Sequence, residues 1–302
     1  MIKTKLHILT EASGSRTSAY LIKAIQDAGH FSVGSDIDSD CFGRVIADGF
    51  IVVPRHGDDG LWTTMQKGLV EKQIDVVIPS FDETLVGWAE RRETLRRAGT
   101  TVVVSPPDAV SIFVDKWKSY QFFREISVPT VSTSLNQEYP LVKPRFGRGG
   151  SGVNITDTPV SMEGMISQEV AVGREFTVDV LCTPESEPIY IVPRFRETVA
   201  SGKSLDGQVF YTPEIDEYVQ RICIEGKLRG PVNIQGFLDT DKSIVFIEVN
   251  PRIAGGMALG FAATENWITP IVEMFVNGNQ WKPKPVKYGL KMKRYYAEVF
   301  VP

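Results

Sequence analysis

Cysteine and histidine are scarce in this chain, which has three residues of each among 302. The cysteines, Cys41, Cys182 and Cys223, form an odd and widely spaced set. Such a set supports neither a disulfide framework nor a thiolate metal site. We therefore expect all three to be structural thiols.

Long apolar runs and runs of positive charge are also missing. No apolar stretch approaches the ~18 residues of a membrane helix, and the start, Met1 to Thr10, lacks the apolar core of a signal peptide. The formal net charge is -4 and no run of lysine or arginine forms a tail. Nucleic acid and membranes are therefore unexpected partners, and we expect a cytoplasmic protein.

The composition does supply a sizeable core, because 42% of the residues are hydrophobic and 23% are charged. The length fits two or three domains. From Lys5 to Ser105, apolar strand runs alternate with helical patterns, which is typical of a parallel, Rossmann-like α/β sheet. The predicted strands are Leu6–Leu9, Phe31–Ser35, Phe50–Val53, Val76–Pro79 and Val102–Val104, and the predicted helices are Ser18–Ala28, Leu61–Lys72 and Glu83–Arg97.

The first predicted turn, Thr10 to Arg16, is small and polar enough to hold an anion at a helix start. It lacks the glycines of the dinucleotide fingerprint GxGxxG, so a capped strand-to-helix turn is the favoured interpretation. Asp36 and Asp38 follow the second strand, where an acid can meet a ribose. Without the glycines they are interpreted as turn and cap residues, and an oxidoreductase built on this half is disfavoured.

A new unit is predicted after the boundary at Pro106-Pro107. It begins with a helix from Asp115 to about Ile126, and the strand Leu141–Lys143 leads into a dense glycine cluster, Gly147 to Gly152. Four glycines in six residues, with two arginines in and beside the cluster, favour a loop whose amides and cations close over phosphate. A mobile hairpin tip is the alternative. The order of residues is not that of a P-loop.

The remaining segment is predicted to be an antiparallel sheet with two helices. Its predicted strands are Glu175–Leu181, Pro188–Pro193, Val232–Leu238, Ile244–Val249 and Lys291–Phe300, and its predicted helices are Glu214–Leu228 and Met257–Val276. The stretch Ser167 to Glu175 is interpreted as a short strand, a turn and a second strand between two lobes.

The hairpin from Asn233 to Arg252 carries the most informative pattern. Alternation along its second strand places Glu248, Asn250 and Arg252 on one face. A carboxylate, a carboxamide and a guanidinium crowded onto one face cost desolvation energy unless they bind something. Oxygen ligands suit Mg²⁺ and a guanidinium suits phosphate, so the pattern predicts a metal nucleotide site. A solvated polar face is the alternative, which the alternating apolar residues of the hairpin disfavour.

Six motifs follow one another along the chain in a fixed order. They are Asp115-Lys116, Val142-Lys143-Pro144 with the glycine loop, Gln168-Glu169-Val170, Gly173-Arg174-Glu175-Phe176, Gln235, and Glu248-Val249-Asn250-Pro251-Arg252. This order resembles the ATP-grasp superfamily, and specifically its carbamoyl-phosphate-synthase-like carboxylate-amine ligases. The resemblance extends from Lys5 to about Val276. It implies an α/β and α+β chain with a Rossmann-like pre-ATP-grasp domain at 1–106, and then a two-lobed ATP-grasp fold with a small lid subdomain at 107–171 and a C-terminal subdomain at 172–302.

The resemblance also implies roles for individual residues. Those expected to contact ATP are Lys116 and Lys143 at the phosphates, Gly147, Gly149, Gly150 and Ser151 in the loop over the triphosphate, Glu169 and Val170 at adenine, and Glu175 at the ribose. Gln235, Glu248 and Asn250 are expected to bind Mg²⁺ or Mn²⁺ as two ions, and Lys143 and Arg252 to act in catalysis. Solvated side chains are the alternative for the two lysines.

Two features remain open at this stage. Gln235 takes the place of the first metal ligand, and Asp239, four residues later, is expected on the same strand face and could join the site. Arg194 and Arg196 alternate on a predicted strand, so a carboxylate substrate site is as well supported as a pair of solvated charges. Lys203 offers a further cation without an assigned role.

The function implied by the resemblance is that of an ATP-dependent ligase. It would activate a carboxylate, an amino acid or another small acid, as an acyl phosphate and couple it to an amine or ammonia, releasing ADP and phosphate. An ATP-binding sensor or accessory protein without turnover is the alternative. The expected partners are small-molecule substrates, and the family is often dimeric, which leaves a homodimer open. The sequence does not name the acid or the amine.

Overall fold

Three β-sheets organise the part of the chain that the computed structural model describes, and each sheet is built from one stretch of sequence. The described residues are 5–147, 149–200, 203–241, 243–295 and 297–301, without the side chains of 198–200 and 203–205. The three cysteines are free and buried, as expected of structural thiols.

The first sheet is parallel, with the strand order β3-β2-β1-β4-β5. Its elements are β1 (His7–Thr10), α1 (Ala19–Asp27), β2 (Phe31–Asp36), α2 (Phe42–Ile46), β3 (Gly49–Val52), α3 (Leu61–Glu71), β4 (Val76–Ile78), a 3-10 turn (Asp82–Thr84), α4 (Leu85–Arg97) and β5 (Thr101–Val102). The central strand β4 is fully buried, which agrees with its unbroken apolar sequence, and β1 is buried from Ile8 to Thr10. The direction of strand order reverses between β1 and β4, and ligands of open α/β sheets bind at the carboxyl ends beside such a reversal.

Asp36 stabilises the turn at the end of β2, as predicted from the absence of the dinucleotide-fingerprint glycines. Its carboxylate accepts hydrogen bonds from the amides of Gly14 at 2.8 Å and Asp38 at 3.1 Å. The carboxylate of Asp38 in turn accepts from the amide of Asp40 at 2.9 Å. Both acids therefore stabilise the local chain.

Two helices and a small antiparallel sheet follow. The elements are α5 (Pro107–Phe113), α6 (Lys116–Glu125), β6 (Thr133–Ser134), β7 (Leu141–Pro144), β8 (Asn154–Ile155) and β9 (Met165–Gln168), and the sheet order is β6-β9-β7-β8. Asp115 caps α6, since its carboxylate accepts from the amides of Trp117 and Lys118 at 3.0 and 3.3 Å. Phe113 of α5 and Phe122 and Phe123 of α6 pack into the core beneath the third sheet, where Phe123 contacts Phe246.

The third sheet is antiparallel and has the order β14-β13-β10-β11-β12-β15. Its strands are β10 (Arg174–Cys182), β11 (Pro188–Ala200), β12 (Lys203–Val209), β13 (Gly230–Leu238), β14 (Ile244–Asn250) and β15 (Lys291–Lys293), and its helices are α7 (Pro213–Glu225), α8 (Ala258–Ala263) and α9 (Ile268–Phe275). Alternation gives the sheet one apolar face, with Phe176, Val178 and Ile234 in the core. On the opposite face, Leu181, Tyr190 and Val192 join an apolar cluster with α8 and α9. The polar part of that face, which includes Thr177 and Arg194, forms the floor of the site described below.

Several predicted elements differ from the structure. The helix predicted over Met257–Val276 is two helices, because the chain turns at Thr264, whose hydroxyl accepts from the Trp267 indole at 2.8 Å. The Asn266 side chain accepts from the Ile268 amide at 3.1 Å, just before the second helix. The strand predicted to run to Phe300 ends at Lys293, where its pairing with β12 stops. No helix in the described ranges has both the length and the apolar character needed to span a bilayer.

The strands β11 and β12 were underestimated from the sequence. β11 runs to Ala200 rather than to Pro193, and β12 was not predicted. Charged residues end an apolar run in the sequence, but in the structure the arginines of β11 are paired with acidic side chains of β10. The helices α2 and α5 were also not predicted.

Candidate functional site

A cavity of about 680 Å³ is lined by residues from all three sheets. Every residue for which the sequence predicts a phosphate, adenine, ribose, metal, catalytic or carboxylate role lines it. These residues are Lys116, Lys143, Gly147, Gly149, Gly150, Ser151, Glu169, Val170, Glu175, Arg194, Arg196, Gln235, Glu248, Asn250 and Arg252. The structure thus brings the whole predicted set together, while the individual roles remain predictions.

The floor of the cavity is the polar face of the third sheet. Thr177 on β10 lies opposite Arg194 on β11 and opposite Gln235 on β13, and Gln235 lies opposite Glu248 on β14. We call these four side chains the cross-strand row. Neighbouring strands are about 4.8 Å apart, so the row extends about 14 Å from Glu248 to Arg194.

The expectation that Asp239 shares the face of Gln235 is not met. The pairing of β13 with β14 shifts between Gln235 and Gly236, and β13 ends at Leu238. Asp239 lies in the following turn and lines a separate, smaller cavity of about 400 Å³. A strand alternation read from the sequence does not extend beyond the end of the strand, so Asp239 does not join Gln235 on the cavity floor.

Lys143 is the buried cation of the site. It is 8% exposed, and its Nζ donates to Oε1 of Gln168 on the neighbouring strand at 2.7 Å. Burial lowers the pKa of Lys143 to about 8, with Glu248 opposing the shift and Lys116 adding to it. A solvated lysine, the alternative considered from the sequence, is excluded for this residue.

Lys116 and the glycine loop are joined at the mouth of the cavity. The Lys116 Nζ donates to the carbonyl of Gly147 at 2.7 Å. Gly149 and Gly150 have φ values of +65° and +71°, which L residues with side chains rarely adopt, and nothing crowds their Cβ positions. The loop is thus exposed and shaped by its glycines. Arg145 at its base is paired with Asp115 at 2.7 and 2.5 Å, and Arg148 lies outside the described residues.

The hinge between the small and the large sheet is fixed by Glu169. Its amide donates to the Ser132 carbonyl at 3.0 Å, and its carboxylate accepts from the Ser132 amide at 3.1 Å. Glu169 and Val170 are both exposed on the cavity side. The backbone of this segment therefore has a defined path along one wall.

The predicted ribose acid and the two arginines of β11 are engaged in ion pairs. Glu175 pairs with Arg196, and Arg194 pairs with the fully buried Asp179 at 2.7 and 3.1 Å. Arg194 is 2% exposed, so it is not a solvated strand charge. The side chain of Lys203, the other cation considered from the sequence, lies outside the described residues.

Arg252 contacts an acid that the sequence did not reveal. Its Nε and Nη2 each donate to a carboxylate oxygen of Asp82 at 2.6 Å. Burial acts to lower the pKa of Arg252, but Asp82, Glu248 and Glu83 together hold it above its ordinary value. The guanidinium is thereby fixed in one orientation beside Asn250, whose Oδ1 lies 3.5 Å from Nη2.

The segment that carries Asp82 is held by the buried Glu11, which follows the carboxyl end of β1. The Glu11 carboxylate accepts from the Thr84 hydroxyl at 2.8 Å and from the Ser80 amide at 3.4 Å. Burial raises the pKa of Glu11 to about 7, against the effect of these hydrogen bonds. Glu11 thus connects the first strand to the segment that carries Asp82 into the cavity wall.

Comparison with protein families identifies the fold family. A family model described as "ATP-grasp in the biosynthetic pathway with Ter operon" matches residues 161–297. The carbamoyl-phosphate synthase of Methanobrevibacter smithii is 24% identical over 159 residues, which are 48% of this chain and 42% of that protein. The arginine-specific carbamoyl phosphate synthase large chain of Bacillus subtilis is 24% identical over 217 residues, 60% of this chain and 20% of that one. The chain therefore spans less than half the length of each.

Solved structures share the fold over most of the chain. N5-carboxyaminoimidazole synthetase from Staphylococcus aureus, complexed with ADP, matches with a TM-score of 0.71 at 18% identity, covering 93% of this chain and 80% of that one. The biotin carboxylase domain of 2-oxoglutarate carboxylase from Hydrogenobacter thermophilus, a dimer solved with MgADP, gives 0.72 at 16% identity, with coverages of 94% and 73%. The L-amino acid ligase of Bacillus licheniformis gives 0.67 at 17% identity, with 86% and 70%.

The chain has the ATP-grasp fold, and residues 161–297 match an ATP-grasp family model. The fold class expected from the sequence is confirmed, with a parallel α/β sheet followed by a small and a large antiparallel sheet. The nucleotide-bound relatives show that this fold accommodates ADP, and MgADP in one case.

Four side chains of this ATP-grasp site escaped the sequence reasoning. They are Glu11, Asp82, Thr177 and Asp179. A signal existed for each pair: Glu11 and Asp82 follow strands whose carboxyl ends meet at the reversal of strand order, and Thr177 and Asp179 alternate with Glu175 on a predicted strand. What the sequence did not contain was the identity of their partners.

Proposed function

We propose that this ATP-grasp protein is an ATP-dependent carboxylate-amine ligase. It phosphorylates a small carboxylic acid with ATP and couples the acyl phosphate to an amine or ammonia, releasing ADP and phosphate. The observation that carries the proposal is the convergence, in one cavity, of a buried lysine, a glycine loop and the polar residues of the third sheet. These are the groups required to bind a triphosphate and to stabilise the charge that develops in phosphoryl transfer.

The nucleotide would lie between the small sheet and the large one. In this proposal Lys143 and Lys116 contact the phosphates, and the glycine loop covers them with amides freed by the left-handed turns. The lowered pKa of Lys143 reflects the free-energy cost of burying its charge, and phosphate oxygens nearby would reduce that cost. The hinge at Glu169 and Val170 would hold adenine, and Glu175 the ribose.

The donor set fits a hard divalent cation. Gln235 and Glu248 are directly opposite in neighbouring strands, and Asn250 is on the same strand face as Glu248. Mg²⁺ is commonly bound through one or two carboxylates together with phosphate oxygens and water. These residues offer one carboxylate and two amides, so Glu248 would be the principal ligand of Mg²⁺ or Mn²⁺, and a second ion would depend on the amides and the nucleotide. The metal would neutralise charge on the β- and γ-phosphates.

The chemistry asked of the protein is alignment and charge neutralisation. An oxygen of the acid attacks the γ-phosphorus, and the bond to the β–γ bridging oxygen breaks to give an acyl phosphate and ADP. The lone pair of the amine then attacks the acyl carbon and phosphate leaves, with loss of a proton from nitrogen. Lys143 and Arg252 stabilise the transferred group, while the glycine loop excludes water, which would hydrolyse the acyl phosphate. Asp82 keeps Arg252 aimed at this point.

The comparisons support this proposal without naming the substrates. The L-amino acid ligase and N5-carboxyaminoimidazole synthetase share the fold and have the names of bond-forming enzymes, but at identities below 20%. The proposed partners are small molecules. A homodimer, the state named for the H. thermophilus domain, is extended to this chain as a proposal that light scattering can test.

The test is ADP release with Mg²⁺ and ATP across pairs of L-amino acids, other small acids, and amines including ammonia. We expect ADP formation that requires both an acid and an amine. Glu248→Gln and Arg252→Ala should each lower turnover by about 10²-fold or more, with the far-UV circular dichroism unchanged. Glu90→Gln, a matched change at an exposed residue, is the control. Nucleotide binding without turnover for any pair would favour a sensor and refute the ligase, as would variants with the turnover of the wild type.

A further inference from the structure

Two residues that lie opposite each other on the cavity floor each have a buried polar atom without a protein partner. Thr177 and Arg194 are opposite one another on β10 and β11, line the cavity, and are each 2% exposed. Within the described part of the chain, Thr177 Oγ1 and Arg194 Nη1 have no hydrogen-bond partner. Buried polar groups are nearly always hydrogen-bonded, so two adjacent exceptions at a cavity wall indicate a place for a ligand atom.

The guanidinium of Arg194 is held in a fixed plane, which makes its remaining nitrogen directional. Its Nε and Nη2 donate to the two carboxylate oxygens of Asp179, and Oδ1 of Asp179 also accepts from Asn233 at 2.9 Å. The backbone of Gly256 lies against the same guanidinium, since a Cβ there would be 2.1 Å from Arg194 Nη2. Only the absence of a side chain at position 256 permits this arrangement.

The charge around the two atoms favours an anion. Asp179 offsets the charge of Arg194, but a second guanidinium is close, because Arg294 Nη2 donates to the carbonyl of Gly255. Burial and repulsion from Arg194 lower the pKa of Arg294, although Tyr20 acts in the opposite direction. Tyr20 donates its own hydroxyl hydrogen to the Ala254 carbonyl at 2.8 Å. Arg294 therefore places a second guanidinium beside Arg194, whose own charge is offset by Asp179.

The ligand must accept hydrogen bonds, since Arg194 Nη1 can only donate. We propose that Thr177 Oγ1 and Arg194 Nη1 form a carboxylate subsite for a substrate of the ligase. The proposal rests on the ligase function proposed above and specifies one of its substrates as carrying a carboxylate that does not react.

The distance across the sheet explains why this carboxylate is not the one that is phosphorylated. Thr177 is two strands and Arg194 three strands from β14, which carries Glu248 and Asn250. At about 4.8 Å per strand these are separations of about 10 and 14 Å from the metal and phosphate end. The bound group is therefore the carboxylate of an amino acid acceptor or the second carboxylate of a dicarboxylic acid. Both share the same chemistry, and the experiment separates them.

The test measures binding and does not depend on turnover. Calorimetric titrations of the MgADP-saturated protein would use the L-amino acids, succinate and glutarate, each compared with the analogue in which one carboxylate is an amide. We expect at least one carboxylate to bind and its amide to bind about 10-fold more weakly or worse, as for loss of a hydrogen bond to a charged group. A response confined to amino acids would assign the subsite to the acceptor, and one confined to the diacids to the donor.

Thr177→Val removes the hydroxyl with little change of shape. It should weaken carboxylate binding about 10-fold while leaving the affinity for the amide analogue unchanged, and Thr177→Ser should restore most of the loss. Thr100→Val is the matched control, because Thr100 is 7% exposed and its hydroxyl donates to the Ile74 carbonyl away from the cavity. Gly256→Ala is a second variant, which should weaken the same binding by displacing Arg194.

Three results would overturn the subsite: no carboxylate of the panel binds, the amides bind as tightly as the acids, or Thr177→Val binds carboxylates like the wild type. Failure of the proposed function has a different signature, which is absence of ADP release with every substrate pair while MgADP and carboxylate binding persist. The two hypotheses are therefore separable in one set of protein preparations.

Discussion

Replacement of Lys143 by methionine tests whether burial sets the charge state of the site. The lysine is 8% exposed, and its pKa is lowered from 10.5 to about 8. An unfolded chain keeps the ordinary lysine pKa, so between pH 8 and pH 10.5 the unfolded state binds more protons than the folded state. Stability contributed by this residue must therefore rise with pH across that window. Below pH 8 the cost of burying the cation is fully present.

The expected magnitude follows from the size of the shift. A difference of 2.5 between 10.5 and 8 corresponds to about 3 kcal/mol at 1.36 kcal/mol for each pKa unit. Lys143→Met keeps the length of the side chain and removes the titration. Relative to this variant, the wild type should gain about 3 kcal/mol in the free energy of unfolding as the pH rises from 8 to 10.5.

Urea unfolding at a series of pH values from 7 to 10.5 provides the measurement. Taking the difference between wild type and variant cancels the titration of other lysines and tyrosines. Lys67→Met is the control, since the Lys67 side chain is 74% exposed on α3. A stability difference between wild type and Lys143→Met that stays constant over the whole range would refute the reasoning.

Three further predictions concern the part of the chain that forms the first sheet and its contact with the site. Asp82→Asn removes the negative charge that pairs with Arg252, and it should lower the free energy of unfolding by about 1.5–3 kcal/mol. Asp59→Asn, in an exposed loop, should not lower it, and equal urea midpoints for the two variants would contradict the prediction. The pKa of Glu11 is raised from 4.5 to about 7, so the wild type should lose about 3 kcal/mol of stability as the pH rises through that interval. Glu11→Gln should not show this loss, and parallel pH profiles of unfolding free energy for the two proteins would contradict the prediction. Gly87→Ala should destabilise the protein by about 1–3 kcal/mol and change the tryptophan fluorescence, because the added Cβ would lie 1.9 Å from the Trp62 ring, which packs on Trp88. An unchanged fluorescence spectrum and an unchanged urea midpoint would show that the ring moves freely.

The residues that face the cavity from the third sheet were largely accessible from the sequence. Alternation with period two placed Glu248, Asn250 and Arg252 on one side, and the structure has them on one cavity wall. The glycine loop was found because a loop with left-handed backbone positions needs glycine at those positions. Lys143 was found because a lysine that ends an apolar strand is unusual. These signals are local and survive in a single sequence.

The pairings between side chains were not accessible in the same way. Asp82 and Arg252 are 170 positions apart, and nothing near either residue indicates the other. The same holds for the partners of the β11 arginines, whose charges ended the predicted strand too early although acids of β10 neutralise them. The helix predicted over Met257–Val276 is interrupted for a different, local reason, since the Trp267 indole donates to Thr264 and the Ile268 amide donates to the Asn266 side chain.

Along the cross-strand row, each position on the cavity floor belongs to a different hydrogen-bonded strand. The separation between Glu248 and any binding group on the floor therefore changes in steps of about 4.8 Å, one strand spacing at a time. A cationic side chain moved from β11 to β10 would select a substrate shorter by one step, and one moved to β12 a longer one. Relatives with the same fold could thus differ in the reach of their substrates through single replacements on one face of a sheet, with the phosphate end of the site left as it is.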